Sequence, residues 1–236
     1  MKKLFIFTLL ASNVFAFSTT NMQLLYGNFN DNSYIFDTRN GRKLTLTIEH
    51  FSTYSYGDIY GFIDHGIADD KFKFHNNKTD TYMELAPRLN MSKITSTDLS
   101  FLFVKELYLA FQYNAGNDYN GYLFGLGSDL DIYGFDMFGI NIYKKNQNIG
   151  DNTYQLSPFY KSKSIYNIFH IYGFIDWTED DFLMQNQFLF DISKYFKVKS
   201  LHVGAEWNYY KQNPHNSNFK TNVKSNTIQA MIKYAW

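Results

Sequence analysis

In Leu44-Thr45-Leu46-Thr47-Ile48-Glu49 every second side chain is aliphatic and those between are polar. Successive side chains of a strand point to opposite faces, so a period of two predicts a strand with one greasy and one wet face. The pattern recurs between Met83 and Met91, where odd positions are apolar apart from Pro87 while Glu84, Arg88 and Asn90 share the other face. It recurs again where Leu107, Leu109, Phe111 and Tyr113 oppose Glu106, Tyr108, Gln112 and Asn114, and where Leu201, Val203, Ala205, Trp207 and Tyr209 oppose His202, Glu206, Asn208 and Tyr210. Cutting the chain at its turn signals gives about twelve such strands, roughly 9 to 12 residues each, the length that crosses a bilayer at a tilt. Their approximate spans are 21–30, 42–53, 56–65, 80–91, 104–115, 120–131, 134–145, 152–162, 166–177, 182–193, 199–211 and 225–236.

Alternation alone also fits a soluble sandwich, so the question is which face is core. The polar faces carry Glu49, Glu84, Arg88, Glu106, Asp129, Asp131, Glu206 and Lys233 beside bulky Tyr and Gln. A dry core cannot take that load, whereas a hydrated lumen can pair it. The pattern therefore predicts an all-β, closed antiparallel transmembrane barrel, with an even strand number that suits both chain termini lying on the periplasmic side. Tight connections at Asp131-Ile132-Tyr133-Gly134 and Tyr195-Phe196-Lys197 read as periplasmic turns. Longer polar ones at 31–41, 66–79, 114–120, 144–152, 178–181 and 212–224 read as outer loops. Most aromatic side chains then face lipid or form the interfacial girdles, but Phe51, Tyr82, Tyr108, Phe159, Tyr172, Phe174 and Tyr210 fall on the inward parity.

The two ends of the chain fit that destination. Lys2 and Lys3, the apolar run Leu4 to Leu10 and Val14-Phe15-Ala16 have the shape of a secretory leader over 1–16, leaving 17–236 as a single barrel domain. Its removal takes two of 22 basic residues and leaves a formal charge of about −2 against an initial 0. That balance implies no nucleic-acid partner. The alternating Ile232-Lys233-Tyr234-Ala235-Trp236 reads as a closing strand that the barrel-assembly machinery would recognise through Trp236. With no Cys at all, closure of the sheet must do what disulfides do in other exported proteins.

Enzymatic and metal chemistry find little support. Gly125-Leu126-Gly127 is no phosphate loop, because Ser128-Asp129-Leu130-Asp131 continues it as strand where a helix must open. Asp129 and Asp131, two apart and so facing one way, lack the further oxygen ligands a divalent cation needs; they read as lumen or rim carboxylates balanced by Arg88 or a lysine across the pore. Of the six histidines, only His50-Phe51-Ser52 approaches a Ser–His arrangement, and His50 and Ser52 share the lipid side with Leu44, Leu46 and Ile48. No catalytic residue, metal or cofactor is expected.

Several blocks, taken in order, carry a resemblance: Leu24-Leu25-Tyr26-Gly27-Asn28, the stretch from Leu44 to His50, Tyr56-Gly57-Asp58, Glu84 with Pro87-Arg88-Leu89, Asp98-Leu99-Ser100-Phe101, Asn141-Ile142-Tyr143, Asp176-Trp177 and Gly204-Ala205-Glu206. The most specific is Tyr122-Leu123-Phe124-Gly125-Leu126-Gly127-Ser128-Asp129-Leu130-Asp131-Ile132-Tyr133-Gly134-Phe135. Over nearly all of the chain after the leader, the sequence resembles the nucleoside-specific channel-forming outer-membrane proteins, the Tsx-like family. The resemblance implies a monomeric twelve-stranded barrel in the outer membrane of a Gram-negative bacterium, a narrow passive channel for nucleosides and deoxynucleosides, and outer loops used by phages or colicins. Pattern and motif membership together nominate Glu49, Phe51, Glu84, Arg88, Asp129, Asp131, Asp176 and Glu206 as lumen residues that meet the permeant. Rival readings are a plugged structural or receptor barrel and a less selective small-solute porin.

Overall fold

A computed structural model of the protein describes residues 17–29, 41–71, 77–213 and 223–236. The expected leader at 1–16, and the parts of the outer connections at 30–40, 72–76 and 214–222, lie outside the described residues.

Twelve strands follow one another along the chain: β1 (Phe17–Asn28), β2 (Arg42–Tyr54), β3 (Gly57–Ala68), β4 (Thr79–Asn90), β5 (Val104–Gly116), β6 (Asn120–Leu130), β7 (Phe135–Gln147), β8 (Thr153–Ser162), β9 (Phe169–Thr178), β10 (Asp181–Asp191), β11 (Leu201–Gln212) and β12 (Lys224–Ala235). Each pairs antiparallel with its sequence neighbours. β1 also pairs with β12, from Asn21 opposite Ala235 to Gly27 opposite Gln229, which closes the barrel. A 12-residue strand such as β3, at ~3.3 Å per residue, reaches roughly 40 Å, or about 28 Å when tilted near 45°, enough for a hydrocarbon core. Among the described residues no helix is long and apolar enough to cross a membrane.

Burial runs opposite to that of a soluble protein. Leu24, Ile48, Leu126, Ile142, Ile228 and Ile232 are exposed on the outside, while Gln23, Gln155, Asn208, Arg88, Glu84 and Lys233 are buried inside. Small apolar clusters thicken the inner wall without filling it: Leu25, Leu189 and Met231 beside Tyr172, and Ala110 and Leu123 beside Tyr143. β6 shows why its glycines matter. A Cβ at Gly125 would overlap the Ile142 carbonyl of β7, and one at Gly127 would strike the Asn141 side chain, so these positions permit close approach of two strands.

The rim holding the start of β1 and the end of β12 is called the near rim here, and the other the far rim. The near rim is more elaborate than a set of tight turns. Between β4 and β5 lies α1 (Met91–Thr95), whose first turn is capped by Asn90: its side-chain oxygen accepts from the Lys93 amide at 3.0 Å. Between β10 and β11 lies α2 (Ser193–Phe196), which takes up the expected turn at Tyr195-Phe196-Lys197. The far rim stands higher than the expected loop bounds allow, because β5 continues to Gly116 and β7 to Gln147. Above the hydrocarbon both faces are wet, so the period of two fades while the hydrogen-bond ladder goes on.

Closure leaves no strand edge from which detergent can unzip the sheet. Unboiled and boiled samples should therefore migrate differently on a detergent gel, and equal mobility would contradict the closed barrel.

Candidate functional site

Inside the barrel runs a cavity of about 580 Å³, within the size of small-molecule sites. It reaches from Phe17, Phe51 and His202 at the near rim to Asp64, Glu84 and Asp176 farther up. Period two explains who lines it: odd residues of β1, β2, β10 and β12 and even residues of β3, β4, β9 and β11 face in.

Three polar networks hold the lining. In the first, Glu49 on β2 accepts from Asn21 at 2.6 Å, Lys233 at 3.2 Å, Gln23 at 3.4 Å and Tyr60 at 3.0 Å. Gln187 on β10 ties this group to Glu206 on β11: its amide nitrogen donates to Gln23 at 2.9 Å and to Glu206 at 3.0 Å, and its oxygen accepts from Lys233 at 3.3 Å. Gln229 donates to the other Glu206 oxygen at 3.1 Å. The second network centres on Arg88 of β4. It bridges Asp58 on β3 at 2.6 and 2.9 Å and Asp129 on β6 at 2.8 Å, while its guanidinium lies 4.1 Å over the Tyr108 ring and 5.0 Å from that of Phe159. Tyr108 also donates to Asp129 at 2.9 Å. In the third, Glu84 accepts from Tyr82 at 2.6 Å and from Gln112 at 3.0 Å. Asp176 on β9 accepts from Ser157 at 2.6 Å.

An aromatic ladder climbs one wall. Tyr60 and Phe62 lie 6.1 Å apart, Phe62 and Tyr82 6.0 Å, and Tyr82 stacks on Tyr119 at 6.5 Å, which carries the series from mid-lumen to the far rim. Phe159 and Phe174 sit opposite each other in the register of β8 and β9, next to Asp176.

Of the nominated residues, Glu49, Phe51, Glu84, Arg88, Asp176 and Glu206 line the cavity. Asp129 stands behind Arg88 and is held by it. Asp131 is a correction: β6 ends at Leu130, so Asp131 belongs to the near-rim turn, largely exposed and paired with Lys105 at 3.1 Å rather than with a lumen base. The period of two predicts a shared face only while the strand lasts. The inward face of β3, Asp58, Tyr60, Phe62 and Asp64, was missed. The signal was present, since Ile59, Ile63 and Ile67 fall on the opposite parity.

His50 and Ser52 are hydrogen-bonded on the outer face at 3.2 Å, with Thr20 on the other ring nitrogen at 2.8 Å. The arrangement has the outline of a nucleophile, a base and an orienting group. Yet Ser52 donates to the Tyr54 hydroxyl at 3.0 Å and is 0% exposed, so no substrate carbonyl can reach it.

Comparison with known proteins decides the family. From residue 26 to residue 235 the chain matches the family described as nucleoside-specific channel-forming protein, Tsx. The chain belongs to this family. Among its relatives, outer membrane protein OmpK of Vibrio parahaemolyticus is 32% identical over 130 residues, covering 51% of this chain and 49% of OmpK. The nucleoside-specific channel-forming protein Tsx of Escherichia coli O157:H7 is 34% identical over 113 residues, covering 43% of this chain and 38% of that protein. The matched stretch thus spans about half or less of these curated relatives. A solved KdgM porin superposes with a TM-score of 0.51 at 8% identity, covering 92% of this chain and 99% of the porin, a likeness of fold alone. Membership places the chain in a family of channel formers rather than of enzymes, and its inside-out closed barrel is the architecture of a membrane-spanning sheet.

Proposed function

We propose that the barrel is a passive, selective channel for nucleosides and deoxynucleosides. The observation that carries the reading is the ladder Tyr60–Phe62–Tyr82–Tyr119, whose Tyr60 and Phe62 line a cavity of about 580 Å³ beside hydrogen-bonding groups. A flat heterocycle stacks on rings, each worth ~1–3 kcal/mol. Its sugar hydroxyls need acceptors, and Glu49, Glu84, Asp176 and Glu206 offer them at several heights. Arg88 and Phe51 border the same path nearer the near rim, and Asp129 acts on it only through Arg88. Several weak sites in series suit conduction, because the solute must also leave. No step breaks a bond: the outer-face serine is sealed, and the lumen carboxylates are engaged by amides, hydroxyls and bases. The same reading takes the barrel as a monomer, with the far-rim connections as the surface open to phage or colicin.

A less selective porin would carry glucose about as fast as adenosine. Proteoliposomes holding the folded barrel should therefore admit labelled adenosine at least about tenfold faster than glucose, the factor that ~1.4 kcal/mol of stacking supplies. Equal entry would leave a general porin as the better account, and entry of neither would leave a plugged barrel.

A further inference from the structure

Four near-rim connections form one continuous arc. The Asp131 amide donates to the Phe103 carbonyl at 2.7 Å, the Lys163 amide to Gly134 at 2.9 Å and the Asp191 amide to Ile168 at 2.7 Å, so 101–103, 131–134, 163–168 and 192–200 are stitched side by side. From this arc project Leu102, Tyr133, Tyr166, Tyr195 and Phe196, of which Leu102, Tyr133 and Tyr166 are 93%, 97% and 90% exposed. Water gives no reason to hold such side chains out. All five non-glycine residues with positive φ among the described residues lie on near-rim connections, Leu102 at 50° and Tyr166 at 53° among them. A left-handed backbone is unfavourable for Leu and Tyr, and such strain gathers where it serves a function.

The charge of the arc is as one-sided as its exposure. Lys163, Lys194, Lys197 and Lys199 are all exposed on it, with Lys163 5.8 Å over the Tyr133 ring, while of its two acids Asp131 is paired with Lys105 and Asp191 accepts from the Ser193 amide at 2.8 Å. The described far-rim connections are the reverse: Asp69, Asp70, Asp118, Asp151, Glu179 and Asp180 dominate, and Phe29 and Val223 are buried. Aromatic tips interleaved with lysines match the boundary of a phospholipid leaflet, where rings sit among headgroups and ammonium groups meet phosphate.

We propose that this near-rim arc is a docking edge for anionic phospholipid, its aromatic tips entering the headgroup layer and Lys163, Lys194 and Lys197 holding phosphate headgroups. The arc lies outside the lumen, so the test leaves conduction untouched. Folded barrel in uncharged detergent is mixed with phosphatidylglycerol or phosphatidylcholine, and the temperature at which the folded gel band converts to the unfolded one is read. Phosphatidylglycerol should raise that temperature by roughly 5 °C over phosphatidylcholine. The triple variant Lys163→Gln, Lys194→Gln, Lys197→Gln should lose the rise while keeping the phosphatidylcholine value, and inorganic phosphate should produce none. The proposal is overturned if the two lipids act alike on the parent, if the triple variant keeps the full rise, or if free phosphate reproduces it. Equal action of the lipids would instead mark the arc as a face for a periplasmic protein.

Discussion

Replacing Arg88 with Met should remove about 3 kcal/mol or more from the stability of the folded barrel. Arg88 and Asp58 are each 6% exposed, and the guanidinium satisfies both Asp58 oxygens and one of Asp129. Methionine fills a similar volume but leaves two carboxylates 2.6 to 2.9 Å from a vanished cation. Removing one partner of a buried pair is far worse than removing both. The triple change Arg88→Met, Asp58→Asn, Asp129→Asn should therefore recover much of the loss. Urea unfolding in detergent, followed by the folded gel band, measures both. An unchanged midpoint for the single variant would mean that lumen water already screens the carboxylates and that the bridge between β3, β4 and β6 is not structural.

The second large effect concerns passage. Changing Phe62 and Tyr82 together to Ala should weaken nucleoside occupancy of the lumen about tenfold or more, since two stacking partners are lost at ~1–3 kcal/mol each. Tyr82 also donates to Glu84, so Phe62→Ala alone separates loss of stacking from release of that carboxylate. Folded yield is read alongside, because Phe62 lines the cavity while Tyr82 packs on it from the neighbouring strand. The readout is the adenosine concentration that halves the time-averaged single-channel current. If the double variant matches the parent while remaining folded, the ladder is wall filling and the permeant takes another path.

Much of this architecture was legible in the sequence, for a definite reason. Where lipid lies outside and water inside, each strand must alternate, and Leu44 to Glu49 or Met83 to Met91 declare both faces at once. The family resemblance added the order of the blocks. What the pattern could not give was partnership across strands. Balance of Asp129 by Arg88 is among the expectations, but nothing local in Arg88 announces Asp58 on its other side, and the Lys233–Glu49 contact exists only because β12 closes on β1. The near rim was least legible. Beyond the strand ends, hydrogen bonding of single side chains takes over from periodicity, as at Asn90 capping α1, and a period carried one step past Leu130 puts Asp131 in the lumen when it belongs to the rim. β9 likewise starts at Phe169 rather than near 166, because Tyr166 and Asn167 turn through the left-handed region.

The central claim is that a nucleoside sits, briefly and repeatedly, in the lumen. Single-channel current through the parent barrel in a planar bilayer tests it most directly. Adenosine or thymidine should lower the current in a concentration-dependent way and glucose much less; equal block by glucose and nucleosides, or no block by either, would contradict the account.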